Sequence, residues 1–392
     1  MSLKSATVVV TLLALVLSAA GAEARGKKKK KKRAAKQEES ELIQLVWPEP
    51  PLEPRIRFLQ TYANEKHLGR KPTRRELFMQ FLAGAVPPST HVYQPMDIAV
   101  SDDGLRFYVS DFGRTVVFLF DFATKSVTQI GERRPLSRPF GVALDGEENL
   151  YVSEQGKRRI AVLNRDHEPI RIIKHPSLVR PGDVDIDRQR GLLYVADPST
   201  KASDDHSVKV FDLEGNLLRT VGSKGICDGC LFFPTYIAVD KNGHLYVTST
   251  LKSQVDVFDE DGNYLKQFGE RGTSFGMFDK PKGVAVDSFG NVYIVDSGWS
   301  NVQIFNQKGQ VLLFFGGRGN HPGLLKNPTG IAIDAQNRIY VADHLNYRIS
   351  TYELVNTSPE DSYIQPGQQP VLAPAGGAIA ADPGDGRDTQ SQ

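Results

Sequence analysis

The fold of this chain is decided by a segment that recurs with small changes. Its clearest copy runs from Pro281 to Asp296 and reads PKGVAVDSFGNVYIVD. The copy begins with a proline, continues as a short apolar strand ending at Asp287, turns at Gly290 and returns as a second strand. Two β-rich runs joined by a turn that contains Gly and Asn are typical of a β-hairpin. The segment therefore predicts two antiparallel strands.

Six copies of this hairpin lie along the chain. Their prolines are Pro95, Pro139, Pro181, Pro234, Pro281 and Pro328, spaced 44, 42, 53, 47 and 47 residues apart. Each of the first five copies is followed by a third apolar strand and by a fourth strand that ends near a glycine, as in 302–305 and 314–316. Four strands in a repeat of this length fit one blade of a β-propeller. We therefore expect an all-β fold, a six-bladed β-propeller over 47–356.

The sixth copy lacks a fourth strand, which would leave an open edge of unpaired backbone groups. One strand-like run, 55–62, lies unassigned far upstream. We expect it to pair with the last blade and close the ring. The segment 73–83 is predicted to be a short amphipathic helix that packs Leu77, Phe78, Phe81 and Leu82 against the propeller. Attachment of this helix to a membrane is the alternative.

Both ends of the chain differ in composition from the repeats. Residues 1–24 are predicted to be a signal peptide, with Lys4, an apolar run and the cleavage site Ala22-Glu-Ala24. Residues 25–46 form a basic leader, predicted to be disordered, with nine cations between Arg25 and Lys36. The tail, 357–392, is predicted to be disordered. We therefore expect an exported protein, periplasmic or extracellular. An uncleaved signal acting as an anchor is the alternative, because cations after an apolar run oppose translocation.

Composition excludes several classes of protein. The chain has 392 residues, a formal net charge of +2 and 40% hydrophobic residues, values that exclude wholesale disorder. Two cysteines cannot hold a fold of this size together. The run Lys27–Lys32 could bind nucleic acid through its charge, but no aromatic residue is interleaved to stack on bases. We interpret it as a solvated spacer, and nucleic acid is not the expected partner.

The repeated residues resemble the NHL-repeat family of β-propellers. In that family a strand of the form Pro-x-Gly-Ile-Ala-Val-Asp pairs with one of the form Leu-Tyr-Val-Ala-Asp, as at 328–334 and 193–197 in this chain. The opening 47–59, WPEPPLEPRIRFL, looks like that of exported bacterial six-bladed members. The resemblance implies a propeller that serves as a binding or scaffold module and, in a minority of cases, as an enzyme. It does not transfer an activity, because function lies in the loops.

Comparing equivalent positions reveals carboxylates near the expected ring axis. Asp185 replaces an alanine that the other five copies share, and Asp97 and Asp183 occupy a position that is glycine in three copies and Tyr236 in the fourth. Carboxylates there could hold Ca²⁺ or Mg²⁺, or one could act as a general base. Alternatively they accept hydrogen bonds from loop amides or pair with Arg138 or Arg180 across the channel mouth. The acids that close the second strands recur too regularly for catalysis, so we expect them to bond turn amides.

Basic and aromatic residues cluster beside the repeat prolines. Equivalent positions place them on one face of the ring, where they could bind a protein, an anionic glycan or an acidic peptide. These candidates for a binding face are Arg138, Phe140, Arg180, Phe233, Tyr236, Lys280 and Lys282. The alternative is a set of unrelated surface cations.

The remaining chemistry-bearing residues give weaker signals. Cys227 and Cys230 lie in the longest inter-repeat segment, and we expect a short structural disulfide there rather than a redox centre. His206, His321 and His344 lie in loops and could meet as metal ligands. The sequence contains no nucleophile elbow and no phosphate-binding glycine loop. The expected function is therefore binding or scaffolding, and the alternative is a metal-dependent lyase or lactone hydrolase in the central channel.

Overall fold

The computed structural model describes residues 45–71, 73–74, 77–78, 90–132, 134–200 and 205–357. The predicted signal peptide, nearly all of the basic leader and the tail beyond residue 357 lie outside these residues. Within them the chain forms a six-bladed β-propeller, as predicted, with each blade a twisted antiparallel sheet. β-Branched and aromatic residues dominate the strands because both faces of every sheet pack against a neighbouring blade. No helix among the described residues is long and apolar enough to cross a membrane.

The strands follow the repeat closely. The first two, β1 (Val46–Trp47) and β2 (Ile56–Tyr62), belong to the last blade. Blade 1 contains β3 (Pro95–Val100), β4 (Arg106–Asp111), β5 (Val116–Asp121) and β6 (Ser126–Ile130). Blade 2 contains β7 (Pro139–Leu144), β8 (Leu150–Glu154), β9 (Arg159–Leu163) and β10 (Pro169–Ile173). Blade 3 contains β11 (Val184–Asp187), β12 (Leu192–Asp197), β13 (Ser207–Asp212) and β14 (Leu217–Val221).

The second half of the ring continues in the same way after a small parallel pair, β15 (Ser223–Lys224) and β16 (Cys230–Leu231). Blade 4 contains β17 (Pro234–Val239), β18 (Leu245–Ser249), β19 (Gln254–Phe258) and β20 (Tyr264–Phe268). Blade 5 contains β21 (Pro281–Val286), β22 (Val292–Asp296), β23 (Asn301–Phe305) and β24 (Val311–Gly316). Blade 6 contributes β25 (Ile331–Ile333), β26 (Arg338–Asp343) and β27 (Arg348–Leu354).

The upstream strand closes the ring, as predicted. β2 pairs antiparallel with β27, and the register places Ile56 opposite Leu354 and Tyr62 opposite Ile349. Ile56 is fully buried. The sequence did not indicate β1, which adds a fifth strand outside β2 and packs Trp47 against Tyr352 at 5.8 Å between ring centroids. The last blade is therefore built from both ends of the propeller.

The predicted helix over 73–83 is described only in part. Leu77 donates its amide hydrogen to the Thr73 carbonyl at 3.0 Å, which is one helical turn. The side chains of Leu77 and Phe78 are 50% and 59% exposed. The prediction that these two pack against the propeller is wrong, because amphipathic spacing shows which helix face is apolar and not what covers it. The predicted contacts of Phe81 and Leu82 lie outside the described residues. Short 3₁₀ helices occupy Glu65–Leu68 and His344–Asn346.

A buried tyrosine in each second strand joins the blades to their turns. In three blades its hydroxyl donates to the aspartate that ends the inner strand, for example Tyr293 to Asp287 at 3.1 Å and Tyr340 to Asp334 at 3.2 Å. The same aspartates accept amide hydrogens from the tight turns, as Asp287 does from Asn291 at 2.8 Å. All six inner strands run in the same direction, so that the repeat prolines lie at or just before the strand starts, on one side of the ring. We call that side the proline face.

Candidate functional site: the ring axis and the proline face

Two buried carboxyl groups tie neighbouring inner strands together at the axis. Asp97 in blade 1 accepts the Val142 amide hydrogen of blade 2 at 2.9 Å. Asp183 in blade 3 accepts the Ile237 amide hydrogen of blade 4 at 3.0 Å. These acceptors replace the backbone partner that an inner edge strand lacks. Both carboxyl groups therefore accept amide hydrogens, as the alternative predicted, but the donors lie in the neighbouring inner strands and not in loops.

Glycine takes this position in blade 2 because the strands approach closely. A Cβ on Gly141 would lie 2.6 Å from the Asp183 Cα and from the Val184 nitrogen. The inner strands of blades 2 and 3 therefore touch through their backbones.

The two carboxyl groups also interact with each other. Burial raises the pKa of Asp97 to about 7, while a hydrogen bond from Asp183 and amide donors act in the opposite direction. Burial also raises the pKa of Asp183, and the nearby charge of Asp97 adds to that rise. Like-charged carboxyl groups in one desolvated site cannot both ionise readily. Both groups therefore bind a proton more readily in the folded ring than in the unfolded chain.

Asp185 lies two residues after Asp183, in the inner strand of blade 3. It accepts the Val239 amide hydrogen at 2.7 Å and the Ile186 amide hydrogen at 2.8 Å. Burial raises its pKa to about 6 in spite of these donors. Like Asp183, it links blade 3 to blade 4.

Tyr236 crosses the axis and fills it at the proline end. Its hydroxyl donates to the Met96 carbonyl of blade 1 at 3.2 Å, and its ring lies 5.4 Å from that of Phe140 in blade 2. Tyr236 is 2% exposed and Phe140 is 8% exposed. Both were predicted to present rings on the binding face, whereas the structure buries them in the axis. The cause is ring closure, which brings blades 1, 2 and 4 together around a space that only large side chains fill.

A cavity of about 300 Å³ occupies the axis on the other side of Tyr236. Inner strands of all six blades line it, and Asp97, Asp183 and Asp185 are among the lining residues. Arg188 lies at the far end, where its Nε donates to the Leu144 carbonyl at 3.0 Å and its guanidinium pairs with Asp102. Blade 3 is therefore linked across the mouth to blades 1 and 2.

These residues do not fit a divalent cation in this arrangement. Among the described residues, no group of three or more His, Cys, Asp or Glu side chains is placed to hold a metal. The carboxyl oxygens are engaged with amides and with each other. Two of the three candidate histidines are also engaged elsewhere: His206 Nδ1 accepts the Phe233 amide hydrogen at 3.1 Å, and His344 Nδ1 contacts the Pro95 carbonyl at 3.0 Å. The Ca²⁺ or Mg²⁺ site stays a prediction, and we derive no chemistry through it.

Two arginines of the proline face lie over aromatic rings. The guanidinium carbon of Arg138 is 4.9 Å from the centroid of Phe112, and that of Arg180 is 5.6 Å from the centroid of Phe233. Both arginines are exposed. A cation held over a ring keeps its outer hydrogen-bond donors directed to solvent. Phe112 was not predicted to belong to the binding face. The signal available in the sequence was its position directly after Asp111.

Two lysines of blade 5 complete the basic set. Lys280 is exposed, whereas Lys282 is partly buried. Burial lowers the pKa of Lys282 to about 8, and the charge of Lys280 contributes. In the part of the chain that the structure describes, neither lysine forms a salt bridge, and neither does Arg138 or Arg180.

The acids that close the second strands do not neutralise these cations. They are fully or nearly fully buried, as Asp111, Glu154, Asp197, Asp296 and Asp343. Asp296 accepts amide hydrogens from Lys280 at 3.1 Å and from Gly298 at 2.9 Å. The predicted bonding to turn amides is confirmed for Asp111, Asp197 and Asp296. The loop before each inner strand is a second source of donors, and it supplies the amides that Glu154 and Asp343 accept, those of Ser137 and Lys326. Two of the five, Glu154 and Asp343, also pair with arginines of their own blades.

Blade 4 replaces this acid with a pair of residues. Ser249 stands where the other blades carry an acid, and its hydroxyl donates to Asp256 of the neighbouring strand at 2.9 Å. Asp256 in turn pairs with the buried Lys252 at 3.0 Å. The acid has moved one strand outward, which explains the break in the series.

Further exposed rings lie on the proline face. Tyr93 and Tyr347 stack with centroids 5.4 Å apart and planes 8° from parallel, and each is nearly half exposed. Trp299 is 40% exposed and donates its indole hydrogen to the Gly272 carbonyl at 3.3 Å. Sequence reasoning missed all three. Tyr347 and Trp299 lie far from a repeat proline in sequence, whereas Tyr93 lies two residues before Pro95, and that position was the available signal. Cys227 and Cys230, in the loop between blades 3 and 4, form a disulfide.

Comparison with known proteins identifies the repeat and the fold. The NHL repeat model matches residues 325–352. No curated protein matches the chain. A Bacteroides thetaiotaomicron protein of unknown function has a TM-score of 0.54 at 17% identity, covering 67% of this chain and 70% of its own. A gluconolactonase from Xanthomonas campestris has a TM-score of 0.52 at 19% identity, covering 67% and 86%.

A third solved structure, the virginiamycin B lyase of Staphylococcus aureus, has a TM-score of 0.49 at 14% identity and covers 67% of this chain and 80% of that one. Similarity at these identities concerns the fold alone. The matched repeat, its six copies and the closed ring of sheets agree with one another. The chain is therefore a six-bladed β-propeller that carries an NHL repeat at residues 325–352.

Proposed function

We propose that the protein is a binding module that recognises an anionic ligand, an acidic glycan, on the proline face. The observation that carries this proposal is the set of four cations, Arg138, Arg180, Lys280 and Lys282, without a salt bridge among the described residues. The acids of the same face are buried and occupied by amides. A cluster of cations without acidic partners attracts anions and raises their association rate.

The exposed rings favour a sugar over an acidic peptide. The stacked pair Tyr93 and Tyr347 and the indole of Trp299 offer flat apolar surfaces beside the cations. Rings of this kind pack against the apolar faces of pyranoses, while guanidinium groups bind carboxylates through two parallel hydrogen bonds. The sealed proline end of the axis supports binding across the face rather than entry into the channel.

The proposal is tested by titration calorimetry, which measures the affinity of the protein for oligogalacturonate, a uronic acid oligosaccharide. The double variant Arg138→Glu, Arg180→Glu is expected to lose affinity by roughly tenfold or more, and the loss should shrink as salt rises. The matched control is Lys125→Glu, Lys241→Glu, which changes the same charge in turns at the opposite ends of the strands. Equal losses in both variants, or tighter binding of a polyglutamate peptide, would contradict the proposal.

A lyase or lactone hydrolase acting in the channel is the second candidate. The cavity of about 300 Å³ lined by Asp97, Asp183 and Asp185 favours it, because carboxyl groups with raised pKa can act as general acids or bases near neutral pH. Hydrolysis of a sugar lactone, measured for wild type and Asp97→Asn, distinguishes this candidate. A rate in the wild type that the variant lacks would favour the enzyme over the binding module.

We also propose that the protein is exported, to the periplasm or beyond the cell. Support comes from the predicted signal peptide and from the Cys227–Cys230 disulfide, since disulfides persist in oxidising compartments. Fractionation of cells that express the full chain, with a variant lacking residues 1–24, tests this assignment. Retention of the full chain in the cytoplasm would contradict it.

A further inference from the structure

Three inter-blade loops of this propeller share one design. They are 222–231, 269–278 and 316–325, and each runs from an outer strand to the next inner strand. Each ends in a fully buried apolar residue, Leu231, Phe278 or Leu325. Each also forms parallel bridges within itself, pairing Lys224 with Leu231, Arg271 with Phe278 and Arg318 with Leu325. The loops are therefore internal copies that can be compared position by position.

The disulfide occurs in only one of these copies, yet all three make the same turn. The Cys230 amide donates to the Cys227 carbonyl at 3.0 Å. At the equivalent positions Met277 donates to Ser274 at 3.0 Å and Leu324 donates to His321 at 3.1 Å. The glycine before each donor has a positive φ, between 71° and 80°. Hydrogen bonds and glycine conformation therefore shape the turn without a covalent link.

The surroundings of the two sulfur atoms differ in access. Cys227 is exposed, whereas Cys230 is 7% exposed. Ser223 Oγ lies 3.8 Å from Cys230 Sγ, so its hydroxyl can donate to a thiolate at that sulfur. A thiolate arriving from solvent reaches the exposed Cys227, and Cys230 is therefore the leaving group.

An apolar side chain stands directly beside the accessible sulfur. Ile226 is 87% exposed, more than any other exposed large hydrophobic side chain among the described residues. The alkyl side chain of an exposed isoleucine takes no part in thiol–disulfide exchange with a small thiol. It does provide contact area for a protein surface.

We propose that Cys227 and Cys230 form a thiol–disulfide exchange site for a dithiol protein. A partner thiolate attacks Cys227 Sγ, the Cys227–Cys230 bond breaks, and the Cys230 thiolate takes a proton. The second partner thiol, as thiolate, then attacks the partner sulfur of the mixed disulfide and releases Cys227, which takes the other proton. This disulfide is reduced by two electrons, and the partner dithiol is oxidised to a disulfide. The site is independent of the anionic ligand proposed above.

The sister loop supplies the control for a structural role. The double variant Cys227→Ser, Cys230→Met copies Ser274 and Met277 of the loop 269–278, and we expect its Tm to stay within about 5 °C of wild type, because a link across so few residues constrains the unfolded chain little. A larger loss would show that the disulfide is structural and would overturn the proposal.

Exchange is measured on the wild-type protein in glutathione redox buffers, with thiols counted by alkylation and mass spectrometry. Two thiols should appear while the circular dichroism of the folded ring is unchanged; a disulfide that opens only on unfolding would overturn the proposal. In Cys230→Ser, the free Cys227 should react with glutathione disulfide at least about tenfold faster than Cys230 does in Cys227→Ser. Equal or reversed rates would overturn the assignment of Cys227 as the attacked sulfur.

The class of partner is tested with reduced thioredoxin as a dithiol protein and dithiothreitol as a small dithiol. Ile226→Asp should slow reduction by thioredoxin about fivefold or more and leave reduction by dithiothreitol within about twofold, because only the protein uses the apolar contact. Equal effects on both reductants, or no effect on thioredoxin, would overturn the choice of a protein partner.

Discussion

The axis pair should make the stability of this propeller fall as the pH rises. The pKa of Asp97 is raised by burial from 3.8 to about 7, so the folded ring binds protons that the unfolded chain has released. The stabilisation is fully present below about pH 4 and is lost as the pH passes through about 7. A difference of this size corresponds to about 4 kcal/mol for Asp97. Raised pKa values at Asp183 and Asp185 act in the same direction.

Replacing Asp97 with asparagine isolates this effect. The amide cannot ionise, yet it retains an oxygen that can accept the Val142 amide hydrogen and a donor for Asp183. Urea unfolding, followed by the fluorescence of Trp47 and Trp299, should be measured at intervals between pH 4 and pH 8. The free energy of unfolding of Asp97→Asn minus that of wild type should grow by about 4 kcal/mol over this range.

Asp103, whose pKa is lowered and not raised, provides the control. The Ser101 hydroxyl and the Leu105 amide lower the pKa of the exposed Asp103, so Asp103→Asn should lose stability relative to wild type as the pH rises. If the difference for Asp97→Asn is flat with pH, or if it follows the sign expected for Asp103→Asn, the pKa of Asp97 is not raised in the folded ring.

Three further substitutions probe the ring. Phe58→Ala empties a buried position on the closing strand and should cost about 3–5 kcal/mol in urea unfolding; a loss below about 1 kcal/mol would mean that β2 is not needed for closure. Asp256→Ala leaves the buried Lys252 ammonium group without its acid and should lower the free energy of unfolding by about 3–5 kcal/mol. An unchanged free energy of unfolding would show that water takes the place of the acid. Gly141→Ala should destabilise the ring measurably by thermal melting, while Gly146→Ala, which faces open space, should not; equal Tm changes would contradict the close approach at the axis.

Features of this molecule that depend on local chemistry were predictable. The hairpin turns, the aspartates that bond turn amides and the number of blades follow from a pattern that repeats every 42 to 53 residues. Closure of the ring by β2 was predictable from the number of strands per repeat, because five copies have a fourth strand and the sixth has none. The additional strand at Val46 and the exposure of Leu77 were not predictable, since neither has a counterpart in the repeat.

The candidate site required the tertiary structure. The meeting of Asp97 with Asp183, and of Tyr236 with Met96, joins residues from different blades that are far apart in sequence. Their distances depend on the curvature of the ring, which no repeat unit encodes alone. Equivalent positions in the six copies indicated which residues approach the axis and which lie on the proline face. Only the closed ring decided that Tyr236 and Phe140 fill the axis and that Arg138 and Arg180 remain at the surface, because the space around an axis is set by all six blades together.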